Sequence, residues 1–179
     1  MPAARPEFLF YRLDAPLRDC RPLPAGYCFE LWRPSVLHPF PRGLSPIIGL
    51  IWYGFHCCRI FSNRDYAAGL IFQEKKVVHI TLVFPSYFRF PFMSRSDLQF
   101  GALWTAPEHR GQGLAGAAIA RLSRLLSSPE RKFWYLTHEA NKASQQVAQR
   151  AGFRLIGWGK RTKYAGLYLL GQYLITASV

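Results

Sequence analysis

Leu103-Trp104-Thr105-Ala106-Pro107-Glu108-His109-Arg110-Gly111-Gln112-Gly113-Leu114-Ala115-Gly116 is the stretch on which the reading of this chain turns. A short apolar run, a proline that stops it, two closely spaced glycines and an alanine-rich amphipathic start describe a strand, a turn and a helix in succession. Gly111 and Gly113 lack a β-carbon, so the main chain there can adopt left-handed angles and admit a ligand close to the backbone. The first-turn amides of the helix are then left pointing outward. With the positive end of the helix dipole behind them, they form a site suited to phosphate.

Spacing sets aside two common phosphate loops. The dinucleotide fingerprint requires a third glycine and the Walker loop ends in Gly-Lys-Ser/Thr, and neither pattern is present.

On either side of this stretch the chain alternates between strand and helix signals. Residues 1–26 hold Pro2, Pro6, Pro16, Pro22 and Pro24 and are expected to be irregular. Residues 27–32 read as a first strand. Ser45 and Pro46 open a helix through the apolar run to residue 61. Residues 66–73 and 77–84 are two strands joined by a polar connection at Glu74-Lys75-Lys76. The aromatic, arginine-bearing loop of residues 85–97 is either a lid over a site or a local hydrophobic cluster.

Residues 98–105 form the strand that feeds the glycine loop. In the helix behind it Leu114, Ala118, Leu122, Leu125 and Leu126 are expected on one face. Residues 132–137 make a further strand. Asn141 caps a helix running to Ala151, which Gly152 ends in the left-handed conformation. Residues 153–158 and 167–175 are the closing strands around a basic turn, Lys160-Arg161-Thr162-Lys163. This order gives an α+β fold, an α/β sandwich of one domain over residues 1–179. Its sheet is mixed, mostly antiparallel and of about seven strands, with helices on its flanks.

Composition narrows the function classes. Half of the 179 residues are hydrophobic and 16% are aromatic, which supports a packed core. Lys and Arg number 23 against 10 Asp and Glu, so an anionic partner is expected. The positive charges fall in short clusters without a basic tail, which ranks nucleic acid behind a phosphorylated cofactor. Cys20, Cys28, Cys57 and Cys58 have no Cys-x-x-Cys spacing, so neither a disulfide framework nor a metal site is expected. No segment reads as a leader or a membrane span, and a cytoplasmic location without a membrane partner is expected. A homodimer is compatible with the sequence.

Arg110-Gly111-Gln112-Gly113-Leu114-Ala115 resembles the acetyl-CoA loop of the GNAT superfamily of N-acyltransferases, Arg/Gln-x-x-Gly-x-Gly/Ala after a strand ending in proline. Two further segments are similar to that family. They are the helix from Asn141 and Ser144 to Gly152-Phe153, and the strand ending in Thr105-Ala106-Pro107. The resemblance implies acetyl-CoA as cofactor. The amides of Arg110, Gly111, Gln112, Gly113, Leu114 and Ala115 would hold its pyrophosphate, and Leu103, Trp104 and Thr105 would line the pantetheine arm. Asn141 and Ser144 would face the thioester.

The family often places a tyrosine, as acid for the departing thiolate, where this chain has Ala148. Ser144, His138 and Glu139 remain as candidate catalytic groups, Glu139 as general base by position alone. His79, on a strand, reads as a structural histidine. The reaction implied is transfer of an acetyl group to a primary amine. The basic segments at Arg89, Arg95 and Lys160–Lys163 suggest an anionic or neutral acceptor, such as an amino sugar or an amino-acid-like metabolite. A non-catalytic CoA-binding module is the second reading, motivated by Ala148, and a basic nucleic-acid-binding domain the third.

Overall fold

The computed structural model describes residues 7–15, 22–43, 45–163 and 171–178. Its strands are β1 (Phe8–Leu13), β2 (Tyr27–Trp32), β3 (Ala67–Gln73), β4 (Lys76–Pro85), β5 (Leu98–Thr105), β6 (Phe133–His138), β7 (Arg154–Arg161) and β8 (Tyr173–Ser178). The helices are α1 (Pro46–Cys57), α2 (Leu114–Leu125) and α3 (Lys142–Arg150), and one 3-10 turn covers Pro107–His109. All eight strands lie in one sheet in the order β2-β3-β4-β5-β6-β1-β7-β8. Every neighbouring pair is antiparallel except β5 and β6, which run parallel.

Alternation along the strands divides the interior into two layers. Leu9, Tyr11, Phe133, Tyr135 and Val83 point to the side where Ile119 and Leu122 of α2 and Ala148 of α3 pack. Leu82, Phe84 and Trp134 point the other way, into an aromatic layer with Phe61, Tyr66 and Tyr87. Helix α2 lies close on β3. A β-carbon at Gly69 would come within 2.7 Å of Leu122 Cδ1 and 3.0 Å of Phe29 Cε2, so any larger residue there would have to push both side chains aside.

Residues 1–26 were expected to be irregular, yet Phe8–Leu13 is a central strand between β6 and β7. Its prolines bracket the strand and none falls inside it. Phe10 is fully buried and Tyr11 nearly so, as an apolar run on both faces requires. This strand brings the sheet to eight. Helix α1 ends at Cys57 and not at residue 61. There Arg59 turns left-handed at φ 55° and the Ile60 amide bonds back to the Phe55 carbonyl at 3.0 Å.

Lys160 and Arg161 belong to β7 and not to a turn. The closing strand is Tyr173–Ser178, and residues 167–170 of the expected strand lie outside the described residues. Leu125 is exposed. The packed stripe of α2 runs through Leu114, Ala118, Ile119, Leu122 and, just past the helix, Leu126. Of the two readings of the aromatic loop, the hydrophobic cluster is realised, with Tyr87, Phe90 and Met93 buried.

Candidate functional site

Strands β5 and β6 pair only over Leu98–Phe100 and Phe133–Tyr135. Beyond those residues they part. Ala102, in β5, sits at φ 48°, and the register with β4 shifts between Ile80 and Leu82 on the facing strand. Such a bulge bends a strand away from its neighbour. The opening holds two connected spaces.

The larger space, about 1210 Å³, is lined by Leu103, Trp104 and Thr105 of β5, by residues 109–116, and by Asn141, Ser144 and Arg150 around α3. Gly111 and Gly113 have φ of 77° and 78°, the left-handed region that favours glycine. The first amide of α2 to reach a carbonyl belongs to Ala117, on Gly113 at 3.0 Å. The amides of residues 111–116 pair with no backbone carbonyl among the described residues, so a row of donors at a helix N-terminus borders the cavity. Arg110 and Arg150 add positive charge to its wall. Backbone donors, a helix dipole and two guanidiniums fit an elongated polyphosphate ligand, and the volume accommodates one.

The loop is held from a distance. Tyr27 of β2 donates its hydroxyl to Gln112 Oε1 at 2.7 Å and meets His109 Nδ1 at 2.8 Å. Arg110 Nε folds back onto the Thr105 carbonyl at 3.2 Å. The Thr105 hydroxyl is occupied by His79 Nδ1 at 2.7 Å, while His79 Nε2 meets the Thr81 hydroxyl at 2.7 Å. His79 is fully buried, and burial pushes its pKa down to about 4. It is therefore the neutral, structural histidine expected from its place on a strand.

The smaller space, about 330 Å³, lies on the other side of the opening. Phe8, Phe90 and Tyr173 form an aromatic wall, with Phe90 and Tyr173 stacked at 5.5 Å and Phe8 edge-on to Tyr173 at 5.1 Å. Gln99 lines it with a buried carboxamide oxygen that has no partner. Among the described residues its only ionisable lining besides tyrosine is His138. That imidazole accepts the Ala140 amide on Nδ1 at 3.1 Å, which leaves Nε2 as the N–H donor in the neutral ring.

The two spaces share Leu103, Tyr135, Asn141 and Ser144. At this junction the Tyr135 and Ser144 hydroxyls are 2.7 Å apart, and burial raises the Tyr135 pKa. Asn141 caps α3 by accepting the Ser144 amide at 3.0 Å.

The cleft thus brings together all the residues expected to contact a cofactor, together with Ser144 and His138. Glu139 stands in the exposed turn after β6 and lines neither space. Arg89, Arg95 and Lys160–Lys163 do not line the smaller one. Sequence reading missed Tyr135, whose aromatic strand context gave no signal beyond packing. It also missed Arg150, although that residue lies in the same helix as the Asn-x-x-Ser segment.

The sequence model of a family described as FR47-like protein, which is GNAT-related, matches residues 93–164. Among solved structures, a GNAT-family acetyltransferase from Colwellia psychrerythraea aligns with 84% of this chain at TM-score 0.53 and 15% identity. The chain has the GNAT fold. A tandem GNAT protein from the clavulanic acid biosynthesis pathway aligns over 84% at TM-score 0.54 and 20% identity. AAC(6')-Iy, in complex with a bisubstrate analog, CoA-S-monomethyl-acetylneamine, aligns over 71% at TM-score 0.50 and 15% identity. The chain spans 53% and 50% of the first two GNAT structures and 91% of the third. Comparison with curated proteins finds no match. Among the described residues no helix is long and apolar enough to cross a membrane.

Proposed function

We propose that this chain is an acetyl-CoA-dependent N-acetyltransferase acting on the primary amine of a small, neutral acceptor. The observation that carries the reading is the meeting of two spaces at the Tyr135–Ser144 hydroxyl pair. One side is built for a long anion and the other for a small uncharged molecule.

The amides from Gly111 to Ala115 would hold the diphosphate, with Arg110 and Arg150 beside it. The β5 main chain at Leu103–Thr105 would run along the pantetheine arm, and Asn141 and Ser144 would flank the thioester. Bound acetyl-CoA supplies an acetyl thioester, whose C–S bond breaks as the acceptor nitrogen bonds to the carbonyl carbon. The Tyr135 hydroxyl keeps its proton because burial disfavours the phenolate, and from the junction of the two spaces it would pass that proton to the departing sulfur. Ser144, hydrogen-bonded to that phenol, would relay a proton back to it from solvent. Tyr135 thereby replaces, from a strand, the helical tyrosine whose place Ala148 occupies. His138 Nε2–H is a donor toward the acceptor side, and the proton lost by the amine leaves to water at that mouth.

The lining narrows the acceptor. Among the described residues it has no carboxylate to hold a polycation, and the basic segments that suggested an anionic acceptor do not line it. A neutral amine seated against Phe8, Phe90 and Tyr173 fits best.

A thermal-shift titration with acetyl-CoA, followed by free-thiol release with a panel of neutral, anionic and polycationic amines, tests the reading. Stabilisation by acetyl-CoA with turnover of neutral amines is expected. No stabilisation defeats cofactor binding. Stabilisation without thiol release from any amine would establish the second reading, a non-catalytic CoA-binding module, which Ala148 favours.

A further inference from the structure

Helix α1 carries an apolar surface that the fold does not use. Trp52 and Phe55 turn inward onto Phe61, Phe84 and Tyr87, and Gly49 is buried beneath Phe40. The opposite face presents Ile47, Leu50 and Ile51 at 73%, 61% and 51% exposure. In the loop before the helix Val36 and Leu37 are 89% and 86% exposed. Isolated exposed aliphatics are ordinary, but three on one face of a helix, with two more in the loop that precedes it in sequence, mark an interaction surface.

The segment of chain that carries α1 bears charge of one sign. Between Glu30 and Asp65 the chain holds Arg33, Arg42, Arg59 and Arg64 and no acidic residue. All four arginines are exposed, and none has a carboxylate partner among the described residues. Asp65, at the edge of the segment, is taken up by Arg131. Beside the C-terminal end of α1 an open recess of about 840 Å³ is lined by Arg59, Arg64 and Arg95, with no carboxylate on its wall.

We propose that α1 and its lead-in loop dock on the surface of an anionic phospholipid bilayer. The aliphatic face would enter the boundary between headgroups and acyl chains, and Arg59, Arg64 and Arg95 would receive lipid phosphates in the recess. At 12 residues the helix is about 18 Å long, too short to span a bilayer and suited to lying in its interface. Charge complementarity decides the occupant. A second copy of this chain seated on the same face would bring arginines of both copies together around a recess without a carboxylate, whereas a bilayer supplies both the apolar depth and the negative charge. This proposal runs against the expectation of no membrane partner, and it is independent of the acetyl-transfer reading.

Flotation of the full chain with vesicles tests it, using phosphatidylcholine alone and phosphatidylcholine mixed with phosphatidylglycerol. The chain should float with the mixed vesicles, stay behind with the neutral ones, and detach as salt is raised. The Arg59→Ser, Arg64→Ser double variant should lose roughly five-fold in partitioning per arginine, the equivalent of about 1 kcal/mol each. Ile47→Ser with Leu50→Ser should abolish flotation while leaving the acetyl-CoA thermal shift unchanged, since both side chains face away from the cleft. Failure to float with mixed vesicles, equal flotation with neutral ones, or undiminished flotation of the serine pair would overturn the proposal. So would a dimer in solution that the serine pair splits, because the occupant would then be a second copy.

Discussion

The hydroxyls of Tyr135 and Ser144 meet at 2.7 Å at the one point where the two halves of the cleft join. If this pair supplies the leaving-group proton, Tyr135→Phe should lower kcat by roughly 10- to 100-fold, the low end of general-acid effects because a thiolate departs readily. Acetyl-CoA affinity should stay nearly constant. The acid works only while protonated, so activity should fall as pH rises through the Tyr135 pKa, which burial holds above the ordinary 10.0. Ser144 hydrogen bonding pulls that pKa down, so Ser144→Ala should move the alkaline limb to still higher pH. Wild-type kcat in Tyr135→Phe would remove the assignment.

Tyr27 acts on the glycine loop without entering the cavity. Its hydroxyl ties Gln112 and His109 to β2 across 85 and 82 residues of sequence. Tyr27→Phe deletes those bonds and keeps the ring, so the loop amides lose a brace while their chemistry is unchanged. At about 0.5–1.5 kcal/mol for a hydrogen bond, the acetyl-CoA Kd should rise roughly two- to twelve-fold. Titration calorimetry measures this directly, and an unchanged Kd would show that the loop needs no brace.

His79 makes stability depend on pH. Its folded pKa of about 4 lies below the unfolded 6.5, so between these values the unfolded chain binds more protons. The contribution of the neutral buried ring is therefore complete above pH 6.5 and is lost as pH falls toward 4, by about 3 kcal/mol in all. Urea unfolding across this window should show wild type losing more stability than His79→Gln, which cannot titrate there. Parallel slopes for the two proteins would refute the account.

What could be read from sequence divides along physical lines. Gly111, Gly113, Asn141 and Gly152 announce themselves because a left-handed turn or a helix cap admits few residue types, and each adopts the expected conformation. Strand β1 was obscured because Pro6 and Pro16 stand on either side of it. Proline counts report where a helix is broken, and they say nothing about the residues between breaks. Tyr135 was hidden for a different reason. In Phe133-Trp134-Tyr135-Leu136 a buried tyrosine looks like any other large core residue until the partner of its hydroxyl, nine residues on, is located in space. Proximity in sequence misled as well. His138 ends β6 and Glu139 follows it directly, yet only His138 lines the cleft.

Ala102 is the residue on which the opening of the cleft depends most locally. It is an L-residue at φ 48° within β5, next to the last residues that pair with β6, and it lines the acceptor side. An alanine held left-handed costs about 1–2 kcal/mol relative to an extended one, while glycine accepts that conformation freely. Ala102→Gly should thus be neutral to slightly stabilising. Ala102→Val places a β-branched side chain where left-handed angles are least tolerated and should destabilise by about 1–3 kcal/mol. If the bulge instead flattens in the valine variant, β5 would approach β6 beyond Phe100 and close the space between them. The variant would then lose its acetyl-CoA thermal shift as well as stability. Thermal melts with and without acetyl-CoA distinguish the two outcomes. A valine variant that melts and responds like wild type would mean that β5 does not need this bulge to part from β6.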